Sequence, residues 1–176
     1  MKTAIIHFFS GTGNTQHAAE LTKKVLESEG YSCALINSDF QNGTLSPEAG
    51  LEVFMFPVYG FAVPKSMLRY MKSLRLVKGI PAAIISVGGT QGKDEGFAGA
   101  SVYQAEALLK KKGYEVFFID FVSYPENWTL VFNPSSEKVS ANVFSKKDVI
   151  IEGMAGYIAS GRININKCSR FNLFWS

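Results

Sequence analysis

The sequence predicts an α/β protein with a doubly wound parallel sheet of five strands. Short apolar runs rich in β-branched and aromatic residues recur along the chain, and between them apolar residues return at helical spacing. The chain has 176 residues, of which 47% are hydrophobic. This size suits one domain that buries roughly 70% of the surface of its unfolded chain.

The first strand is predicted at residues 3–9, which are β-branched, aromatic and almost uninterruptedly apolar. Such a run is typical of a strand covered on both faces, as in a parallel sheet. Runs of the same kind predict four further strands. These lie at residues 31–37, 51–56, 82–87 and 114–122.

Helical spacing separates the strands. At residues 16–27 an apolar stripe is formed by Ala18, Leu21, Val25 and Leu26, which indicates a helix lying against the sheet. Pro64 is expected to open a second helix at its first position. The remaining two helices are predicted from about Ala98 to Lys112 and from about Ser145 to Ser160.

The last helix sets the expected domain boundary. Its predicted inner stripe consists of Val149, Ile150, Met154, Tyr157 and Ile158. Because Gly161 follows, we expect a domain at residues 1–161 and a C-terminal tail at residues 162–176. The tail ends in an apolar segment that could dock on its own domain or on a partner.

A turn of small and hydroxylated residues joins the first strand to the first helix. Backbone N–H groups at a helix N-terminus favour an anion, and hydroxyls and an amide beside them can hold one terminal phosphate. An ordinary capped turn is the alternative, although four hydrogen-bonding side chains exceed what one cap requires. The turn consists of Ser10, Gly11, Thr12, Gly13, Asn14 and Thr15.

Two common phosphate loops do not match this turn. No Lys precedes Thr15, so the loop of nucleotide triphosphatases is absent. Gln16 stands where the dinucleotide fingerprint has its third glycine.

The turn Ser10–Thr15 resembles the phosphate loop of flavodoxins, which bind flavin mononucleotide (FMN). In that family the loop follows the first strand, and two later loops enclose the flavin ring. The resemblance implies an FMN cofactor and a flavodoxin-like sheet in the order 2-1-3-4-5.

The segment after the third strand resembles the first ring-covering loop of that family. The resemblance implies that Tyr59 or Phe61 could stack on the isoalloxazine. It also implies that a peptide beside Gly60 turns over on reduction and presents a carbonyl to the protonated N5, which glycine permits because it takes positive φ without steric cost. The alternative is a turn whose aromatic side chains lie in the core. The segment contains Pro57, Val58, Tyr59, Gly60 and Phe61.

Two later segments complete the expected flavin site. After the fourth strand, Gly88 and Gly89 would let the backbone approach the ring edge, and Phe97 is the next candidate. After the fifth strand, Tyr124–Trp128 resembles a segment of flavodoxin-like domains that are fused to ferredoxins in anaerobes. Trp128 could cap the flavin or close the core.

The resemblance implies redox proteins as partners, ferredoxin-type proteins among them. Cys168 is the only late cysteine, so we expect no iron–sulfur cluster in this chain. Two cysteines, Cys33 and Cys168, are too few for a disulfide framework or a metal site. A reducing cytoplasm fits this cysteine content.

The net charge is only +3 and the cations are scattered, which argues against nucleic-acid binding. No apolar run approaches the roughly 20 residues of a membrane helix.

Three functions are compatible with these patterns. The first is an electron carrier that shuttles electrons between partners. It needs no catalytic acid, base or nucleophile, and His7 is expected to be a buried, hydrogen-bonded histidine. The second is an NAD(P)H-dependent quinone or FMN reductase that uses residues 123–144 as a lid. The third is a flavin-free receiver-like module, which would need acidic residues where the chain has Phe8, Phe9 and Ser10. The carrier is favoured, and whether the protein has a substrate of its own stays open.

Overall fold

Strands and helices alternate along the chain, as predicted. The structure is a computed structural model that describes residues 2–40, 49–90, 100–125 and 137–166. In chain order its elements are β1 (Lys2–Phe8), α1 (Asn14–Ser28), β2 (Tyr31–Asn37), β3 (Leu51–Pro57), α2 (Lys65–Ser73), β4 (Ile80–Thr90), α3 (Ser101–Lys111), β5 (Tyr114–Pro125), α4 (Glu137–Ala159) and β6 (Asn164–Ile165).

The strands form one parallel sheet in the order β2-β1-β3-β4-β5-β6. The predicted order of the first five strands is confirmed, but the predicted number of five is wrong. Asn164 and Ile165 add a sixth strand by pairing with Phe118 and Ile119. Two residues are too short to form a recognisable apolar run, so this strand depends on the β5 edge beside it. β6 lies within the segment predicted as a tail, whose residues 167–176 are outside the described part of the chain.

Two strands are longer than predicted. β4 continues to Thr90 and β5 to Pro125, because their ladder extends to the last residue of both. Gly88 and Gly89 therefore lie inside β4 and not in a loop that follows it, which corrects the predicted boundary.

Alternate residues of the central strands enter two hydrophobic cores. In β3, Val53 and Met55 pack in the core beneath α1 and α4, whereas Phe54 and Phe56 pack in the core beneath α2 and α3. All four are fully buried. Burial of each such side chain contributes about 1.5–3 kcal/mol to stability, which accounts for the nearly continuous apolar run in this strand.

The inner stripe predicted for the last helix is partly wrong. Met154 and Ile158 are buried, but Val149, Ile150 and Tyr157 are 67%, 42% and 46% exposed. The helix is rotated so that Ile151 and Ala155 face the core instead. α4 also begins at Glu137, well before the predicted Ser145. Within the described residues, no helix is both long and apolar enough to cross a membrane.

Candidate functional site

The turn after β1 is organised around the Ser10 hydroxyl. This oxygen accepts hydrogen bonds from the backbone N–H groups of Gly13 and Gln16 at 3.1 and 3.2 Å. Gly13 has φ of 99°, a conformation that costs glycine little, and α1 begins at the next residue. The Ser10 hydroxyl therefore acts as a cap inside the turn.

Asn14 and Thr15, two other polar residues of the turn, are held by neighbouring parts of the structure. The Asn14 side chain donates a hydrogen bond to the Pro125 carbonyl at 3.0 Å, which ties the turn to the end of β5. Thr15 is buried, whereas Gly11 and Thr12 are exposed. The exposed backbone of the turn lies at the positive end of the α1 dipole, where an anion is stabilised.

A tight hairpin follows β3. The backbone N–H of Tyr59 donates to the Ala62 carbonyl at 3.0 Å, and Ala62 returns the bond to Tyr59 at 3.1 Å. Gly60 and Phe61 between them have φ of 54° and 65°, as in a type I′ turn. Phe61 is the only non-glycine residue with positive φ in the part of the chain that the structure describes. Such a backbone costs about 1–3 kcal/mol.

The aromatic side chains of this hairpin are at the surface. Tyr59 is 50% exposed and Phe61 is 49% exposed, so the alternative that places them in the core is wrong. Partial burial raises the pKa of Tyr59, and the Asp39 carboxylate raises it further. The Phe9 ring meets the Tyr59 ring edge-on, with centroids 6.0 Å apart.

The turn after β1 and the hairpin after β3 are in contact. The Tyr59 hydroxyl lies so close to Gly11 that any side chain at position 11 would collide with it. Only glycine therefore fits at position 11 as long as the Tyr59 side chain stays in this position. The chain continues from β1 to one neighbour, β2, and later reaches the other neighbour, β3, so this contact lies at the switch point of the sheet, where α/β proteins bind ligands.

The ends of β4 and β5 form the next part of the same edge. The backbone N–H of Val58 donates to the Val87 carbonyl at 3.0 Å, which joins the hairpin segment to β4. Gly88 pairs with Ser123, whose hydroxyl is buried without a hydrogen-bond partner in the described structure. Gly88, Gly89 and Pro57 thus share the edge with the two loops, whereas Phe97 and Trp128 are outside the described residues.

A buried polar network that was not predicted from the sequence lies in the interior, and we call it the core cluster. The prediction that His7 is buried and hydrogen-bonded is confirmed, since it is 0% exposed. Its Nε2 donates to Glu52 Oε2 at 3.0 Å, and its Nδ1 is 2.6 Å from the Tyr70 hydroxyl. Tyr114 donates to the same Glu52 oxygen at 2.7 Å. In the sequence, this network is indicated by Glu52, a glutamate inside the otherwise apolar strand β3.

A second network, the helix cluster, lies next to the turn after β1. His17 Nε2 and the Tyr124 hydroxyl both donate to Asp148 Oδ1, each at 2.8 Å. The Phe144 ring contacts the rings of His17 and Tyr124. This cluster joins α1, β5 and α4. Among the described residues, no group of three or more His, Cys, Asp or Glu side chains could hold a metal ion.

Comparisons with known proteins identify the fold. No protein-family model matches the sequence, and no curated protein matches it either. Among solved structures, a flavodoxin of Streptococcus pneumoniae TIGR4 has a TM-score of 0.63 at 19% identity, over 90% of this chain and 98% of that chain. The C101S mutant of a flavodoxin from Pseudomonas aeruginosa has a TM-score of 0.66 at 13% identity, over 90% and 97%.

A part of a larger protein is similar as well. A flavodiiron protein from Giardia intestinalis has a TM-score of 0.57 at 18% identity, over 93% of this chain and 38% of that chain. At these identities the likeness shows the fold. The chain therefore has a flavodoxin-like α/β fold, with its two contacting loops at the edge where such sheets bind ligands.

Proposed function

We propose that this protein binds FMN and carries electrons between redox proteins. The observation that supports the proposal best is the contact between Gly11 and Tyr59 at the switch point of a flavodoxin-like sheet. It puts an anion-favouring helix end and an exposed aromatic side chain side by side. A molecule with a terminal phosphate and a flat ring matches both. We also propose a reducing cytoplasm as its compartment, on the cysteine content.

The described residues fit such a cofactor. The exposed backbone of Gly11 and Thr12 would hold the phosphate, with Ser10, Gly13, Asn14 and Thr15 shaping the turn. Tyr59 and Phe61 would cover the ring. FMN, when bound, supplies reversible transfer of one or two electrons, and the protein supplies binding, orientation and electrostatics. The remaining contacts that we propose to the ring come from Pro57, Val58, Gly60, Gly88, Gly89, Phe97 and Trp128.

The hairpin offers a way for the protein to respond to the charge state of its ligand. Rotating the peptide between Gly60 and Phe61 by half a turn converts type I′ geometry to type II′, in which the second residue has negative φ. Phe61 would then leave its costly conformation, while Gly60 tolerates both states. The peptide carbonyl would point to the opposite side. We propose that this peptide turns over when the ligand is reduced.

Absorption spectroscopy of the purified protein with added FMN tests the proposal. We expect a flavin spectrum that shifts on binding, a stoichiometry of one, and weaker binding of riboflavin, which lacks the phosphate. Stepwise reduction followed by mixing with ferredoxin-type proteins should show electron transfer. A protein that takes up no FMN contradicts the proposal. Steady turnover with NAD(P)H and a quinone would instead support a reductase.

A pair of glycine variants localises the binding site. Gly11→Val places a side chain against the Tyr59 hydroxyl, so we expect at least a tenfold loss of FMN affinity, equivalent to about 1.4 kcal/mol. Gly153→Ala is the control, because a Cβ at this position of α4 would meet only open space. Equal FMN affinities in both variants would exclude the turn after β1 as the phosphate site.

A further inference from the structure

The outward face of α4 carries a stripe of exposed apolar side chains. Val149, Ile150 and Tyr157 are 67%, 42% and 46% exposed. Tyr157 follows Asp148 by about two and a half helical turns, so it lies on the side of α4 opposite the carboxylate that contacts His17 of α1. The stripe therefore faces away from α1. Contiguous apolar patches of this kind mark surfaces that bind other molecules.

Two glycines complete this stripe. Gly153 and Gly156 lie inside α4, although glycine is the poorest helix former after proline. Apart from the backbone of α4 itself, no atom of the described residues lies within 4 Å of the point where a Cβ of either glycine would be. The described part of the molecule therefore does not require glycine at these positions. The close approach of a second backbone would require it.

The stripe is symmetric about Gly153. Val149 and Ile150 precede this residue by four and three positions. Gly156 and Tyr157 follow it by three and four positions. If two such helices pack antiparallel with a two-fold axis at Gly153, the large side chains before the axis meet the residues after the axis in the other copy. The surface is thus complementary to itself, as a two-fold interface requires.

Helical geometry gives the contacts that this arrangement would make. Val149 and Gly156 lie on one flank of the stripe, whereas Ile150 and Tyr157 lie on the other. Val149 of one copy would fill the space that Gly156 leaves open in the other, and Ile150 would pack on the Tyr157 ring. That ring is held in place by Arg162, whose guanidinium carbon lies 4.3 Å from the ring centroid.

The charges at the ends of the stripe favour the antiparallel arrangement. Lys146 precedes Gly153 by seven positions and Ser160 follows it by seven, so each lysine would lie at the C-terminal end of α4 in the other copy. Cations are stabilised at this end of a helix. In a parallel pair the two lysines would instead face each other as like charges.

We propose that the protein forms a homodimer in which the stripe of α4 packs antiparallel against the same stripe of a second copy. A stable interface buries about 800 Å² per partner. One helix face supplies less than this, so the dimer forms reversibly and depends on protein concentration. The stripe contains no residue of the proposed flavin site, and the dimer therefore does not depend on FMN binding.

Sedimentation equilibrium of the full chain, at concentrations up to about 1 mM, measures this association. We expect a monomer–dimer equilibrium. Ile150→Glu brings one carboxylate from each copy into the apolar interface and should weaken the dimer at least tenfold. Leu76→Glu is the matched control, because Leu76 is an apolar residue outside α4 that is 76% exposed, and this variant should dimerise normally. Gly11→Val should also dimerise like the unmodified protein.

A cysteine at the proposed axis tests the arrangement of the two helices. In a background that carries Cys33→Ala and Cys168→Ala, Gly153→Cys should form a disulfide between two copies on mild oxidation. Residues at the axis approach their counterparts closely, and a disulfide needs a Cα separation of about 4.4–6.8 Å. Lys24→Cys, at an exposed position of α1, should cross-link much more slowly.

The proposal is overturned if the full chain stays monomeric, if Ile150→Glu leaves the dimer intact, or if Lys24→Cys cross-links as fast as Gly153→Cys. It is also overturned if Ile150→Glu, but not Leu76→Glu, lowers the melting temperature of the dilute monomer. In that case a segment of the same chain, such as residues 167–176, covers the stripe instead of a second copy.

Discussion

The core cluster and the helix cluster each join a histidine, a carboxylate and at least one tyrosine hydroxyl, in different surroundings. The histidine–carboxylate distances are 3.0 Å in the first and 2.8 Å in the second, and in the core cluster the Arg75 guanidinium also lies 3.8 Å from Glu52 Oε1. The side chains of His7 and Glu52 are 0% exposed, whereas those of His17 and Asp148 are 38% and 27% exposed. The two histidine–carboxylate pairs therefore have nearly equal geometry but differ widely in their exposure to solvent.

Burial, and not contact distance, decides how much each cluster contributes to stability. Removing one partner from a fully buried pair leaves the other without compensation from water. At a half-exposed pair, water replaces the lost partner and the loss is small. The helix cluster combines both cases, because Tyr124 is fully buried although His17 is not.

The largest effect is expected in the core cluster. Glu52→Ala removes the acceptor of His7 and Tyr114, and we expect the free energy of unfolding to fall by about 3–5 kcal/mol. Urea denaturation followed by circular dichroism measures this. Glu115→Ala is the control, since Glu115 is an exposed glutamate on β5. Similar losses in both variants would contradict the role assigned to burial.

The next effect concerns the buried half of the helix cluster. Asp148→Ala leaves the Tyr124 hydroxyl buried without its acceptor, so we expect a loss of about 1–3 kcal/mol. In a Tyr124→Phe background, which has no hydroxyl to satisfy, the same substitution should cost less. A double-mutant cycle by urea denaturation provides the measurement. Full additivity of the two substitutions would be evidence against the coupling.

At high pH the two clusters should behave alike. Burial, then the neighbouring carboxylate, raises the pKa of Tyr114, and burial, then the hydrogen bond to Asp148, raises the pKa of Tyr124. Above the ordinary value of 10.0 the unfolded chain loses these protons while the native protein keeps them. Stability is therefore unaffected below pH 10 and falls above it, by about 1.4 kcal/mol per pH unit for each tyrosine.

Single Tyr114→Phe and Tyr124→Phe variants, unfolded in urea between pH 9 and 11, should each show a shallower fall. The measurement is best made in a Cys33→Ala background, because burial also raises the pKa of Cys33, to about 11. A fall that neither tyrosine variant reduces would show that other groups cause it.

The smallest effect is expected at the exposed half of the helix cluster. His17→Gln removes the hydrogen bond to Asp148 but leaves the Tyr124 bond, so the loss should stay below about 1 kcal/mol. A loss comparable to that of Glu52→Ala would mean that the two clusters do not differ as their burial indicates.

Most of the fold could be predicted because its elements carry strong local patterns. The apolar run of β3 and the stripe of α1 each identify one element without knowledge of the rest. β6 could not be predicted, since Asn164 and Ile165 become a strand only because β5 lies beside them. The face that α4 turns toward the core could not be predicted either. Val149 and Tyr157 are apolar and fit the helical spacing, but they are exposed.

The loops of the candidate site could be predicted from the sequence, but the contacts between them could not. Small residues after β1 and aromatic residues after β3 are local signals. The collision that a side chain at Gly11 would cause with Tyr59, and the left-handed backbone of Phe61, depend on how two distant loops meet.

β6 has a consequence for how the protein behaves at high concentration. An uncovered edge strand can pair with a strand of another molecule and start aggregation. Here Asn164 and Asn166 donate side-chain hydrogen bonds to Asp120 at 2.8 and 2.9 Å, and the Asn166 N–H donates to the Ile119 carbonyl at 3.0 Å. These few residues thus occupy backbone positions of β5 that a foreign strand would need, and we expect them to hinder self-association through this part of the edge.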